Sequence, residues 1–259
     1  MKTTYISRIL VVGISMLAFF GLWEGVVWLG GYPPFILPSP GQVVQRLGVL
    51  LADGSLWRHM GVTVGEILAG LALGTVVATA LGYLLAHFPI AERLLSPYII
   101  ASQSVPVVAV APLLVIWFGP GLLSKILVCA LVVFFPILVN TIVGVRSVEP
   151  ELRDLMRMLE ANRWKTFWFL EVPAALPVLL SGLKIGATLS VIGAVVGEFV
   201  ASNQGLGYLI KQGQQLYDTP LVFVGIGMLI ALAQALYGTV ALAERFLLRG
   251  HSIHTKEVR

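Results

Sequence analysis

The sequence predicts an all-helical integral membrane protein with six transmembrane spans and one large water-facing loop between the fourth and fifth. Three observations carry that reading. Of 259 residues 58% are hydrophobic and only 12% charged, with a mean hydropathy of +0.91, too apolar for a soluble chain of this length. The apolar residues gather in six runs, each near the roughly 20 residues that a helix needs to cross a bilayer. Ten of the charged side chains fall within residues 146–171, five basic (Arg146, Arg153, Arg157, Arg163, Lys165) and five acidic (Glu149, Glu151, Asp154, Glu160, Glu171), and such a segment faces water.

The first run, about 9–29, follows the short basic start MKTTYISR. It is too long for a signal-peptide core and no Ala-x-Ala site follows, so it reads as a retained span. Next, Ser39, Pro40 and Gln42 form a helix-start signature of the Ser-x-x-Gln kind, and Val43, Val44, Leu47, Leu50 and Leu51 form one apolar face. That pattern predicts a helix lying on the membrane surface. The second span, about 61–86, is rich in Gly and Ala, which lets neighbouring helices approach closely. HFPIAERLLSP reads as a short turn. The third span, about 98–118, carries Pro106 and Pro112 and is expected to be kinked or broken. Gly119-Pro120-Gly121 ends it. The fourth span runs over about 122–145, the fifth over about 176–200, and the sixth over about 221–248. Between the last two, ASNQGLGYLIKQGQQLYDTP reads as a polar loop. In domain terms, residues 1–60 hold the first span and an external interfacial helix, 61–248 a five-helix core with its loop at 146–175, and 249–259 a basic tail.

Orientation follows from the basic residues. With both termini in the cytoplasm, thirteen of the 17 Lys and Arg lie on that side, leaving Arg46, Arg58, Lys125 and Lys211 outside. The charged loop then faces the cytoplasm. The sequence pI near 9.3 reflects this topology and gives no reason to invoke nucleic acid.

Within the loop, Leu152, Leu155, Met156 and Leu159 repeat at helical spacing, and Pro150 with Glu149 and Glu151 suits a helix start. Trp164, Phe167 and Trp168 make a second stripe, with Glu171 next on that face. Two short helices joined at an angle around residues 160–162 are expected. Their apolar faces need a partner, either the chain's own spans or a cytoplasmic subunit docking there.

Hydrolytic or transfer chemistry needs convergent His, Cys, Ser or paired carboxylates. The four histidines (His59, His87, His251, His254) sit at helix ends or in the tail. The single Cys129 allows neither an intramolecular disulfide nor a metal cluster. No Gly-x-Ser-x-Gly, His-Glu-x-x-His or phosphate-cradling loop appears, so no catalytic, cofactor or metal residue is expected. Three carboxylates, Glu24, Glu66 and Glu198, lie within spans toward the outer side, where charge must face protein or a watery cavity. They either snorkel and pair structurally, or Glu198, with Ser190 on the same helix, joins Ser102, Gln103 and Ser104 before Pro106 in lining a solute pathway. A broken helix that exposes backbone groups is a common way to build such a site.

The loop resembles the cytoplasmic Glu-Ala-Ala loop of binding-protein-dependent ABC importer permeases of type I architecture. Asp154-Leu155-Met156 stands for the first triplet, Glu160 for the motif glycine and Leu170-Glu171-Val172-Pro173 for the Ile-x-Leu-Pro end. Glu160 departs from the motif at a tight turn where a side chain is disfavoured. FILPSPGQV, SVPVVAVAPLLVIWFG and VVGEFVASNQGLGYLI extend the resemblance, in order, to permeases for sulfonates, nitrate, taurine and thiamine precursors. It implies a homodimer or close heterodimer of permeases in the inner membrane, two cytoplasmic ATPases and an external solute-binding protein. It implies further that Arg153, Asp154, Leu155, Met156, Leu159, Glu160, Ala161, Asn162 and Arg163 couple to the ATPase. The rival class is an ion-coupled secondary transporter using Glu198 and Glu66. Such folds carry inverted repeats, and none is evident between the two halves.

For the solute, unneutralised carboxylates at Glu24, Glu66 or Glu198 would oppose an anion, since charges ~4 Å apart are worth several kcal/mol at intermediate dielectric. That favours a neutral or weakly basic heterocycle, a thiamine-type pyrimidine or a flavin, over a sulfonate, nitrate or taurine.

Overall fold

The structure, a computed structural model, describes residues 2–248; the expected tail at 249–259, with His251 and His254, lies outside the described residues. Helix α1 (Lys2–Gly30) leads through an extended connection to α2 (Pro40–Ala52) and α3 (Ser55–His87). The pair α4 (Pro89–Gln103) and α5 (Val107–Phe118) follows, then α6 (Leu122–Arg146) and the loop helices α7 (Pro150–Met158) and α8 (Arg163–Thr166). A π-helical turn at Phe167–Glu171 runs straight into α9 (Val172–Ala201), before α10 (Leu206–Gln215) and α11 (Thr219–Leu247) close the described chain. No strand occurs among the described residues.

Five helical stretches are long and apolar enough to cross a membrane: Gly13–Gly30, Ser55–His87, Leu122–Arg146, Arg163–Ala201 and Thr219–Leu247. The sixth expected span is α4 with α5, two helices meeting at 96°. The break falls at Ser104–Pro106, where proline removes a backbone donor and its ring crowds the preceding turn. Pro112 and Pro136, by contrast, sit inside unbroken α5 and α6.

Helices α3, α6 and α9 form the packed centre. Small residues set their spacing: a Cβ on Gly74 would come within 2.8 Å of the Ala130 carbonyl oxygen, and one on Gly193 within 2.8 Å of the Cys129 Cα. Two apolar clusters fill the bundle. One gathers Ala78, Leu85, Val133, Ile137, Leu138 and Ile142 near the charged loop. The other joins Ile67, Cys129 and Val191 to α2, α10 and α11 at the opposite end. Helix α2 begins with both halves of the expected capping box: Ser39 Oγ accepts from the Gln42 N–H, and Gln42 Oε1 accepts from the Ser39 N–H at 2.9 Å. Leu50 of α2 is buried, with Val43 and Leu47 packed beside it. Helix α1 stands more apart, fastened by Trp23, whose ring lies 5.2 Å from that of Phe223 and whose Nε1–H donates to the Pro38 carbonyl.

Three expectations need correction. HFPIAERLLSP is not a turn, since α4 starts at Pro89 and only Phe88 lies outside helix. The polar stretch after the fifth span is not a plain loop. Leu206, Leu209, Ile210 and Gly213 repeat at helical spacing, and all four are buried in α10 against α9 and α11. The second loop helix is not separate either, because α8 and the π-helical turn continue into α9 and the 175 boundary falls inside one helical stretch.

Candidate functional site

Helix α7 forms because Pro150 fits its first turn and the charges suit its dipole, Glu151 at the start and Arg157 at the end. It stops in a Schellman turn. The Glu160 N–H donates to the Arg157 carbonyl and the Ala161 N–H to the Met156 carbonyl, each at 3.0 Å, with Glu160 at φ +52°. That left-handed conformation is the one a glycine adopts without Cβ strain, so Glu160 occupies the turn that the motif glycine would make at lower cost. Asn162 then caps α8, its Oδ1 accepting from the Lys165 N–H at 2.8 Å.

The exposed face of α7 is apolar. Leu155, Met158 and Leu159 are turned to solvent, Met158 at 82% exposure, while Met156 is half-buried. Asp154 pairs with Arg157 at 2.8 Å on the surface, a contact that contributes little. Arg153 braces the loop internally, donating from Nη2 to the Val145 carbonyl at the end of α6. Ala161 is half-buried and Arg163 exposed. Met158, the most exposed of the stripe, is the residue that periodicity overlooked, since the line counted from Leu152 runs through Leu155, Met156 and Leu159.

Both roots of the loop are tied to α3 and α4. Arg146, the last residue of α6, forms an ion pair with Glu92 on α4. Glu171, closing the π-helical turn, accepts from the Tyr83 hydroxyl at 2.8 Å and lies 3.0 Å from His87 Nε2. A cleft of about 790 Å³ between α3, α6 and α9 is lined by Tyr83, Arg163, Trp164 and Phe167 beside these groups. Sequence reasoning passed over Tyr83, His87 and Glu92 because their partners are remote in the chain.

At the break in the bent pair, Ser102, Gln103 and Ser104 are exposed. Ser102 and Gln103 line a cleft of about 460 Å³ against Leu131, Val132 and Phe135 of α6. Ser102 Oγ–H donates to the Tyr98 carbonyl at 2.7 Å.

Ser190 and Glu198 are not on any such wall. Both are wholly buried within one chain, and Ser190 Oγ–H donates to the Ala187 carbonyl of its own helix. Glu198 accepts from Thr63 Oγ1–H at 2.6 Å and from the Gly207 N–H. Thr63 Oγ1 in turn accepts from the Leu206 N–H at 2.8 Å, and His59 Nδ1 from the Gly205 N–H at 3.0 Å. A side chain on Gly205, at φ +115°, or on Gly207 would strike the Glu198 carboxylate, so Gly-Leu-Gly wraps directly onto it. The expectation that Ser190 and Glu198 line the pathway is therefore corrected: a carboxylate that satisfies backbone donors is a fastening of α10 to α3 and α9. Glu66 is likewise enclosed, paired with the buried Lys125, whose Nζ also donates to Ser202 Oγ at 2.9 Å. Of the three intramembrane carboxylates, only Glu24, on α1, is exposed.

Known proteins resemble this chain in sequence and in fold. The family described as "Binding-protein-dependent transport system inner membrane component" matches residues 70–248. A riboflavin transport system permease protein of Chloroflexus aurantiacus is 46% identical over 236 residues, 91% of this chain and 88% of the relative. A formylaminopyrimidine transport permease protein of Halalkalibacterium halodurans is 37% identical over 227 residues, 88% and 90% of the two chains. Among solved structures, a chain of a methionine ABC transporter in an inward-facing conformation superposes with a TM-score of 0.63 at 18% identity, covering 78% of this chain and 98% of that one, which supports the fold. An all-helical bundle with a broken span and a charged helical loop, matched in sequence over most of its length, places this chain in the binding-protein-dependent transport system inner membrane component family: it is the permease subunit of an ABC importer, and ATP is hydrolysed by a separate subunit.

Proposed function

We propose that this chain is the permease of a riboflavin importer, working as a homodimer with two copies of the ATPase below and a solute-binding protein above. The observation that carries the solute is the 46% identity, across nine-tenths of the chain, to a permease named for riboflavin. The pyrimidine permease at 37% belongs with the same class of neutral heterocycles. The charge argument for a neutral solute loses its premise, since Glu66 is paired with Lys125 and Glu198 is enclosed. Sulfonate, nitrate and taurine are the alternative solutes.

Both termini lie in the cytoplasm in this reading, on the grounds of the basic-residue asymmetry. The exposed stripe Leu155, Met158 and Leu159, bordered by Asp154, Glu160 and Arg163, docks in a groove of the ATPase. Ser102, Gln103 and Ser104, at the break of the bent span, line the pathway and contribute weak solute contacts.

The test uses the complete importer. Its binding protein, screened by thermal shift against riboflavin, aminopyrimidines, alkanesulfonates and nitrate, is expected to be stabilised by riboflavin. Stabilisation by an alkanesulfonate alone would overturn the solute. Riboflavin uptake into proteoliposomes should require ATP and be absent with the permease alone; uptake driven by an ion gradient without ATP would overturn the importer mechanism.

A further inference from the structure

We infer that the α3–α4 turn is the lever through which the loop moves the broken span, with Tyr83, His87, Glu92, Arg146 and Glu171 as its positioning residues. The inference rests on the importer reading of the loop and names the path that the motion takes from there.

The turn is gripped from both sides by the two roots of one loop. Arg146 at the entry root holds Glu92 in the first turn of α4. Glu171 at the exit root holds Tyr83 and His87 in the last turns of α3. Between these grips, Phe88 joins the helices at φ −120° and ψ 79°. The exit root is also packed edge-on, since the Phe167 ring lies 5.2 Å from the Tyr83 ring at 85°. It sits in a π-helical turn, a rare geometry that is frequent at functional sites.

What the grip moves is also distinctive. Within one chain helix α4 has no buried residue, in contrast to α3 and α6, so little packing inside the chain resists its displacement. Its 15 helical residues span on the order of 22 Å. Its far end is the break at Ser102–Ser104, where α5 turns away at 96°. A shift of the loop thus reaches the candidate pathway through Glu92 and the length of α4, which stays helical across Pro97. The Glu92 and Arg146 side chains are 25% and 37% exposed, so the tie contributes little to stability, and direction of motion is the role left to it.

The experiment uses the complete importer in proteoliposomes, with Cys129→Ala and nitroxide labels at Leu94 on α4 and Leu242 on α11, both exposed. Electron–electron resonance distances are measured without nucleotide and after trapping with ATP and vanadate. The wild-type distance is expected to change on trapping. Glu92→Arg and Arg146→Glu should each abolish the change and lower riboflavin taken up per ATP roughly tenfold, with the ATPase still co-purifying. The double swap should restore both readings. Tyr83→Phe with His87→Leu should likewise reduce the change, and a wild-type response there removes the exit root from the lever. An unaltered distance in wild type, a full change in either single variant, or a swap without recovery overturns the proposal. Failure of the ATPase to bind the wild type would instead overturn the reading of the loop.

Discussion

The two ends of this bundle hold several of their charges in different ways. At the α10 end, Glu66 and Glu198 are 0% exposed and Lys125 8%, and their partners include backbone N–H groups fixed by Gly205 and Gly207. At the loop end Asp154–Arg157 lies on the surface, and Glu92–Arg146 and His87–Glu171 each leave one side chain partly open to solvent, although Glu171 itself is buried. Buried charge networks tolerate one geometry, because any displacement strands a charge or a donor without water to replace the partner. Half-exposed pairs exchange partners for water at little cost. The contrast separates a fixed end from an end able to move.

The sharpest way to break this contrast is at Lys125. Lys125→Ala leaves Glu66 buried without its counter-charge and should destabilise the permease by about 3–5 kcal/mol, read as a fall in thermal unfolding temperature in detergent. Lys125→Met with Glu66→Met should recover most of that loss; a double variant as unstable as the single one would show the packing, and not the charge, to be at fault.

Next in size is Glu198→Ala, which strands the Thr63 hydroxyl and the Gly207 N–H. A loss of about 2–4 kcal/mol is expected, with Gly207→Ala behaving similarly. Near-wild-type stability in both would show the Glu198 fastening to be unimportant. At the movable end the effect should fall on assembly. Leu155→Asp with Leu159→Asp should leave stability within about 0.5 kcal/mol of wild type and weaken ATPase co-purification by more than roughly tenfold. Undiminished co-purification would exclude this face as the docking site.

Gln103→Ala should lower the uptake rate several-fold with insertion and stability intact, and a wild-type rate would remove it from the pathway. The smallest effect belongs to Glu160→Gly. Relief of the positive φ should stabilise the loop by up to about 1 kcal/mol, visible as slower proteolysis of the loop. A destabilised variant would show that the Glu160 side chain makes a contact of its own.

Much of the architecture was legible because it is local. The capping box at Ser39 and Gln42, the stripe of α7 and the break before Pro106 all rest on residues within a few positions of each other. Helix α10 was missed for a different reason. Its inward face, Leu206, Leu209, Ile210 and Gly213, was present, but Gln212, Gln214, Gln215 and Lys211 on the other face gave the stretch a loop's composition. Of the polar residues expected along a pathway, Ser102 and Gln103 line a cleft, whereas Ser190 and Glu198 share their polarity but not their exposure.

The sequence by itself determined that this chain lives in a bilayer, where most of its spans and its water-facing loop lie, and how helices such as α2 and α7 start. These follow from hydropathy over about 20 residues and from hydrogen bonds spanning four or five. Only the tertiary structure decided which charged groups face inward and which helices the loop holds. Thr63 lies 135 residues from Glu198, Lys125 59 from Glu66, and Tyr83 88 from Glu171. No period or motif links partners so distant. They meet because Gly74, Gly193 and their like let α3, α6 and α9 pack closely enough to bring them within hydrogen-bond reach.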